Sequence, residues 1–421
     1  MSPDSSADRS PEDVGATADG MGETDGGTGF VDGSTLARWD RISGNERAVV
    51  GLTALAVLLF PYLFAEAPVI SSILSGYHGL TTLILIWGIF AMGYDLLHGY
   101  TGLLSFGHAA FWGMGGMVAG WLVQFFGIDF PLVLVFVGLV AGVLLAWLIG
   151  FLSLRRGGIY FAILTLAFGQ MFYFTMFGPL GGITGGEDGL LLEIGPLLGI
   201  IPLSGGVPVL TPLGFAGSWL YMLVGVFTVV SVAVAYRVLN SPYGLVFRAI
   251  RENEQRAEFV GLNVWRYKLV AFIISGGFAG LAGALFTIYN GSSSASTFYW
   301  IVSGDVVIMS IIGGVGTLFG GFLGAGLYLY MSNVLSTSIG SLWHLLLGIS
   351  FVLVVWLFPD GLWGGIERLR WFVRLAIDDP GAARQHLVDV ARAYVDATVA
   401  FALRIVRLPM RLVSLVSGGS S

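Results

Sequence analysis

Pro131-Leu-Val-Leu-Val-Phe-Val-Gly-Leu-Val-Ala-Gly-Val-Leu-Leu-Ala-Trp-Leu-Ile-Gly-Phe-Leu-Ser153 runs its whole length without a charged residue. A helix needs about 20 apolar residues to cross the hydrocarbon core of a bilayer, and this stretch suffices. Working outward, nine further stretches share its character: 48–65, 79–97, 103–124, 159–178, 216–236, 268–290, 300–313, 315–332 and 342–358. The stretches 300–313 and 315–332 are short and read either as two spans or as one bent or broken pair. The whole chain agrees with this reading. Its 421 residues are 56 % hydrophobic and only 11 % charged, where a soluble domain carries about 25 % charged residues. A soluble enzyme and a single-pass anchor are both excluded. The expected fold is an all-α polytopic membrane protein with about ten transmembrane helices.

Basic residues orient such a bundle, because Lys and Arg concentrate in cytoplasmic loops. Arg38, Arg41 and Arg47 precede the first stretch, and Arg155 and Arg156 follow the fourth. Arg237, Arg248, Arg251, Arg256, Arg266 and Lys268 follow the sixth, and Arg368, Arg370 and Arg374 follow the tenth. With ten spans, every cluster falls on one side. The loops 66–78, 125–130, 179–215, 291–299 and 333–341 contain no Lys or Arg. Both termini are therefore expected in the cytoplasm, and the chain in the plasma membrane.

The ends differ from the bundle. Residues 1–36 hold eight acids and one base, against 18 acids and 19 bases in the rest. Segment 1–44, rich in Gly, Ser, Asp and Thr, reads as a disordered acidic tail, since it has too little apolar surface to offset the entropy of ordering. The membrane-spanning body is expected over 45–360. Segment 361–421 reads as a cytoplasmic amphipathic extension, with 382–408 lying along the membrane surface. Of the 20 basic residues, Lys268 is the sole lysine. With the acidic tail, this points to a salt-adapted or GC-rich prokaryotic source. The absence of Cys excludes thiol chemistry.

Gly clusters at 113–120, 276–283 and 313–324 mark close helix contacts, and Gly116–Gly120 and Gly316–Gly320 read as G-x-x-x-G pairs. The segment Gly93-Tyr-Asp-Leu-Leu-His-Gly-Tyr-Thr-Gly-Leu-Leu-Ser-Phe-Gly-His108 places Asp95, His98, Thr101, Ser105 and His108 between apolar runs. Ionisable groups at membrane depth are functional candidates, and Gly99, Gly102 and Gly107 allow a helix break there. Gly102, Ser105, Gly107 and His108 are candidate pathway-lining residues; the competing reading is a wet turn between two spans. Asp305 lines the path or sits in water at the outer mouth. Thr184, in Thr184-Gly-Gly-Glu-Asp-Gly189, belongs to a loop that caps the pathway, meets a partner or simply faces solvent.

The chain carries no energy source of its own. A phosphate-cradling G-x-x-x-x-G-K-[ST] loop is absent, since Lys268 stands in Tyr267-Lys268-Leu269. The five His, at 78, 98, 108, 344 and 386, have no metal-ligand spacing. Neither catalytic residues nor a metal, a cofactor or nucleic acid is expected on this chain.

The loop 237–267 is charged and helical in pattern. Ser241-Pro242 suits a helix start, and Gly261 suits a stop. Arg251, Glu252, Glu254, Ala257 and Gly261 then belong to a helix–Gly–helix element standing off the membrane, which either docks on a partner or is a solvated loop.

Four stretches carry a resemblance to a known family: Gly99–Phe111, Arg156–Gln170, Thr184–Gly189 and 241–289. Over roughly residues 50–365 the chain resembles the LivM-type permease subunits of ATP-binding-cassette importers for branched-chain amino acids. The resemblance implies a LivH-like second permease, two cytoplasmic ATPases that bind the ATP, and an external substrate-binding protein. It also implies that 241–268 is the loop coupling permease to ATPase, with Ala257 and Gly261 at its A-x-x-x-G core and Glu252 or Glu254 at its first acidic position. Two other readings stand beside it. One is the same machine carrying urea, short amides or another small polar solute. The other is an ion-coupled secondary transporter, supported only by Asp95 and Asp305.

Overall fold

The computed structural model describes residues 46–66, 78–155, 157–186, 188–197, 199–203, 205 and 218–378. The acidic segment 1–44 and the stretch 382–408 lie outside the described residues, as do Arg156 and Glu187. The all-α expectation holds. The long helices are α1 (Glu46–Pro61), α2 (His78–Thr101), α3 (His108–Phe126), α4 (Pro131–Ser153) and α5 (Ile159–Phe177). After a short α6 (Gly181–Thr184) come α7 (Trp219–Leu239), α8 (Pro242–Glu252), α9 (Glu254–Phe259) and α10 (Val264–Asn290). The last four are α11 (Trp300–Gly313), α12 (Gly320–Ile339), α13 (Trp343–Leu357) and α14 (Gly361–Asp378). One small antiparallel ladder joins β1 (Leu190–Leu191) to β2 (Ser292–Ser293), with Leu190 opposite Ser293.

Among the described residues, seven helices are long and apolar enough to cross a membrane, or eight if the bent pair α13–α14 is one span. The expectation of ten is revised at the C-terminal end. Helix α11 has 14 residues, about 21 Å at 1.5 Å per residue, short of a hydrocarbon core of about 30 Å. The expected ninth span begins not at 315 but at Gly320, after a turn, and the tenth bends by 40° into α14. Gly316 lies in that turn with φ +84°, so Gly316–Gly320 is not a helix-packing pair. The expected third span starts late, at His108, because residues 102–107 are not helical.

Helix α10 is the axis of the bundle, packed against α2, α3 and α4. Small residues make this possible. A Cβ at Gly115 would meet the carbonyl oxygen of Gly280, one at Gly142 would meet that of Gly276, and one at Gly283 would meet that of Trp112. Backbones thus touch along one glycine seam, where packing rather than a hydrophobic driving force holds helices together. Beside the seam, Trp112 stacks at 4.8 Å from both Trp87 and Phe90. These rings are almost wholly buried. Helices α1, α5 and α13 instead expose large apolar faces, as lipid- or subunit-facing helices do.

One end of the bundle gathers the basic residues. Arg237 donates to Glu46 at 2.6 Å, joining the end of α7 to the start of α1. The ring of Phe151, ending α4, meets Trp265, opening α10, edge-on at 5.8 Å. At the opposite end, Trp121 Nε1 donates to the carbonyl of Ile183 at 2.9 Å, beside the β1–β2 ladder.

Candidate functional site

Two groups of residues stand apart from ordinary packing. The first is the charged element at the basic end. Ser241 and Pro242 open α8 as expected, Pro at the first helical turn losing no hydrogen bond. The helix breaks at Asn253, whose side chain accepts from Arg256 N at 2.9 Å and caps α9. Helix α9 closes on a Schellman motif: Leu262 N donates to the Ala257 carbonyl at 3.2 Å and Gly261 N to that of Glu258 at 2.9 Å. Gly261 adopts φ +92° with open space around it. Glycine is therefore required there for backbone conformation and not for room. Ala257 is buried with Ile250 and Val264, so it fixes α9 against α8 and the start of α10.

The charges of this element do different jobs. Glu254 pairs at 2.5 Å with Lys268 Nζ, whose side chain is only 10 % exposed. Arg251 reaches inward, donating to the Gly99 carbonyl at the end of α2. Arg248 stands over the ring of Tyr100, 5.5 Å from its centroid. Glu252 is exposed. At the tip, Phe259 is 91 % and Val260 78 % exposed, two adjacent apolar side chains more exposed than Tyr243 and Leu245 on the same element. Sequence reading passed over this pair. Its signal was the apolar dipeptide following Arg-Glu-Asn-Glu-Gln-Arg-Ala-Glu258.

The second group is the break between α2 and α3. Gly102 ends α2 with φ +73°, its N–H returning to the His98 carbonyl at 3.1 Å. The next residues run inward without helical bonding. Phe106 N donates to Thr165 Oγ1 of α5 at 3.2 Å, and Gly107 sits so close to α5 that a Cβ would strike the Thr165 carbonyl. Ser105 Oγ lies 3.0 Å from His108 Nδ1, and Ser275 Oγ of α10 lies 2.8 Å from Nε2. Ala109 N donates to Ser303 Oγ of α11 at 2.8 Å. Helix α3 therefore begins inside the bundle, with hydroxyls from two other helices meeting its first turn. His108 is fully buried and ringed by Tyr94, Phe111 and Phe272 at 4.9, 5.3 and 5.8 Å.

The remaining candidates scatter. Thr184 is buried at the opposite end, donating to the Met176 carbonyl at 2.7 Å and accepting from Gly186 N at 3.3 Å, so it knots its own loop. Asp305, half-buried on α11, accepts from the Tyr328 hydroxyl of α12 at 2.5 Å. Asp95, in contrast, is buried at the foot of α2. It accepts from Ser310 Oγ at 2.9 Å and from Gly316 N at 3.0 Å, thereby capping the turn between α11 and α12. The structure thus brings Gly102, Ser105, Gly107 and His108 together and leaves Thr184 and Asp305 apart from them. Among the described residues no group of His, Cys, Asp and Glu could hold a metal ion.

Comparison with known proteins gives this geometry a context. The model of the family described as "Branched-chain amino acid transport system / permease component" matches residues 76–355. The chain is 31 % identical over 346 residues to the high-affinity branched-chain amino acid transport system permease protein LivM of Escherichia coli (strain K12), covering 79 % of this chain and 76 % of that protein. It is 32 % identical over 297 residues to the LivM protein of Salmonella typhimurium, covering 67 % and 69 %. A shorter similarity, 30 % over 98 residues, covers 23 % of this chain and 30 % of the nucleoside ABC transporter permease protein NupC of Lactococcus lactis. No solved structure gives a significant match. With two thirds of its length matched by the family, including the broken α2–α3 passage and the α8–α9 element, this multi-pass membrane chain belongs to the branched-chain amino acid transport system permease components.

Proposed function

We propose that the chain is the transmembrane permease subunit of an ATP-driven importer for leucine, isoleucine and valine. It sits in the cell membrane with its basic end in the cytoplasm. A second, LivH-like permease, two cytoplasmic ATPases and an external binding protein complete the machine. The observation that carries this reading is the α8–α9 element, a capped helix pair at the basic end that holds Phe259 and Val260 out into solvent. An exposed apolar pair on the same short helix as the exposed Arg256 and Glu258 suits a protein groove better than water. ATP-driven closure of the ATPases would carry this element with it and switch access through the permease pair, because the docked contacts differ between the two states.

The passage through the membrane is assigned to the α2–α3 break, lined by Gly102, Ser105, Gly107 and His108. Non-helical backbone at membrane depth occurs where it is enclosed by protein or lines a water path. Asp305 and Thr184 are proposed nearer the outer face, on the external approach. The shorter similarity to a nucleoside permease favours a second reading in which the same machine carries another small polar solute.

The test is co-expression of the chain with its ATPases and partner permease, reconstitution, and uptake of labelled leucine with its binding protein outside. ATP-dependent uptake that competes with isoleucine and valine is expected. Uptake that persists without ATP would overturn the importer reading. ATP-dependent uptake of a different solute, unaffected by leucine, would overturn the cargo.

A further inference from the structure

The α8–α9 element packs on the bundle through Phe247 and Ile250, and one polar contact beside them joins three segments. Arg251 closes the last turn of α8. Its guanidinium donates to the Gly99 carbonyl, in the last turn of α2. A Cβ at Gly316, in the turn between α11 and α12, would stand 3.0 Å from Arg251 Nη1 and 3.3 Å from that same carbonyl. Gly99 and Gly316 lie backbone to backbone, since a Cβ at Gly99 would come within 2.5 Å of Gly316 N. Beneath them the buried carboxylate of Asp95 accepts from Gly316 N and Ser310 Oγ. On the far side of the turn, Gly361 packs against Gly314, and Trp363 stacks on Phe319 at 5.8 Å.

Resting on the reading above, we infer that Arg251 is not an ATPase contact but a strut, which transmits movement of α8–α9 to the end of α2 and the α11–α12 turn. Three features support this. Arg251 alone among the charged residues of the element bonds to a backbone carbonyl of a membrane helix, and a strut needs a rigid anchor. Its anchor is the last full turn before the α2–α3 break, so a pull there is passed to Ser105, to the His108 it bonds, which is tied to α10, and to Ala109, which is tied to α11. The turn it overlies is fixed to α2 through Asp95, so α2, α11 and α12 move as one.

The absence of Cys from the chain makes the test clean. It uses the complete reconstituted importer and reads leucine uptake per ATP hydrolysed, together with recovery of the ATPases on the tagged chain. Arg251→Ala is expected to keep both ATPases bound and hydrolysing while uptake per ATP falls at least tenfold. Arg251→Lys, with a flexible single-point donor in place of the planar fork, restores part of it. A covalent strut should replace the natural one. A Cβ at Gly102 would stand 3.5 Å from Arg251 Cγ, a spacing within reach of a disulfide. In Gly102→Cys/Arg251→Cys, oxidation is expected to raise uptake per ATP and reduction to lower it again. The inference is overturned if Arg251→Ala keeps the wild-type ratio, if it loses the ATPases (a docking role), or if the oxidised double variant couples no better than the reduced one. Absence of ATP-driven uptake in the unsubstituted complex would overturn the importer reading itself.

Discussion

His108 stands between two helices with both ring nitrogens engaged by serine hydroxyls and aromatic rings closing around it. Removing the imidazole leaves the buried Ser275 hydroxyl without this partner, takes one partner from Ser105 and leaves a cavity, a lost buried hydrogen bond and a cavity each costing on the order of 1–3 kcal/mol. His108→Ala is therefore expected to lower the melting temperature in detergent by several degrees, whereas the exposed His344→Ala leaves it unchanged; a thermal scan distinguishes them. Glu254 illustrates the opposite case. In the sequence it reads as a docking charge, but it neutralises the largely buried Lys268. Reversing its charge disturbs the bundle as well as any partner, and so makes a poor probe of coupling. Neither pairing was legible beforehand. Ser275 is 167 positions from His108, and Gly316 is 221 from Asp95, separations at which composition and spacing carry no contact information. What the sequence did display was the type of residue, polar and ionisable in an apolar run, and the glycines that would let the helix break beside it.

At the scale of the element, α8–α9 was the most legible part of the chain at its two ends, because start and stop rest on local chemistry, Pro242 and Gly261; the break at Asn253, inside what read as one helix, was not legible. Gly261→Ala is expected to cost about 1 kcal/mol through its positive φ alone and to leave coupling largely intact. Gly261→Pro also removes the Schellman hydrogen bond and forces φ negative, so uptake per ATP should fall while the bundle still inserts. Normal coupling in the proline variant would remove Gly261 from the mechanism. At the tip, Phe259→Asp is expected to reduce ATPase recovery about tenfold, and Phe259→Leu to retain most of it. Equal recovery in both would mean that the apolar tip is not the docking point. The α11–α12 hairpin was the least legible element. Its glycines read as a helical pair, whereas Gly314 and Gly316 are used for their positive φ in a turn.

Across the whole molecule, the glycine seam along α10 sets the fold. A side chain at Gly280 would meet the α4 backbone at Gly138 and Gly142, so Gly280→Leu should prevent the bundle from assembling, read as loss of monodisperse protein in detergent. A comparable substitution at the open Gly304 should not. The apolar runs made the polytopic class plain, while the number of crossings was not, because half-length helices and bent pairs obey the same hydropathy as full spans. The family match makes the chain a permease component of a transport system, and the function proposed above has it take its energy from another subunit. That dependence is the central claim, and one measurement addresses it most directly: labelled leucine uptake by the reconstituted complex, with and without ATP, using ATPases carrying an intact or a disabled nucleotide site. Uptake that requires both ATP and the intact site is the expected result. Uptake of equal rate with the disabled ATPases, sustained by an ion gradient alone, would contradict it.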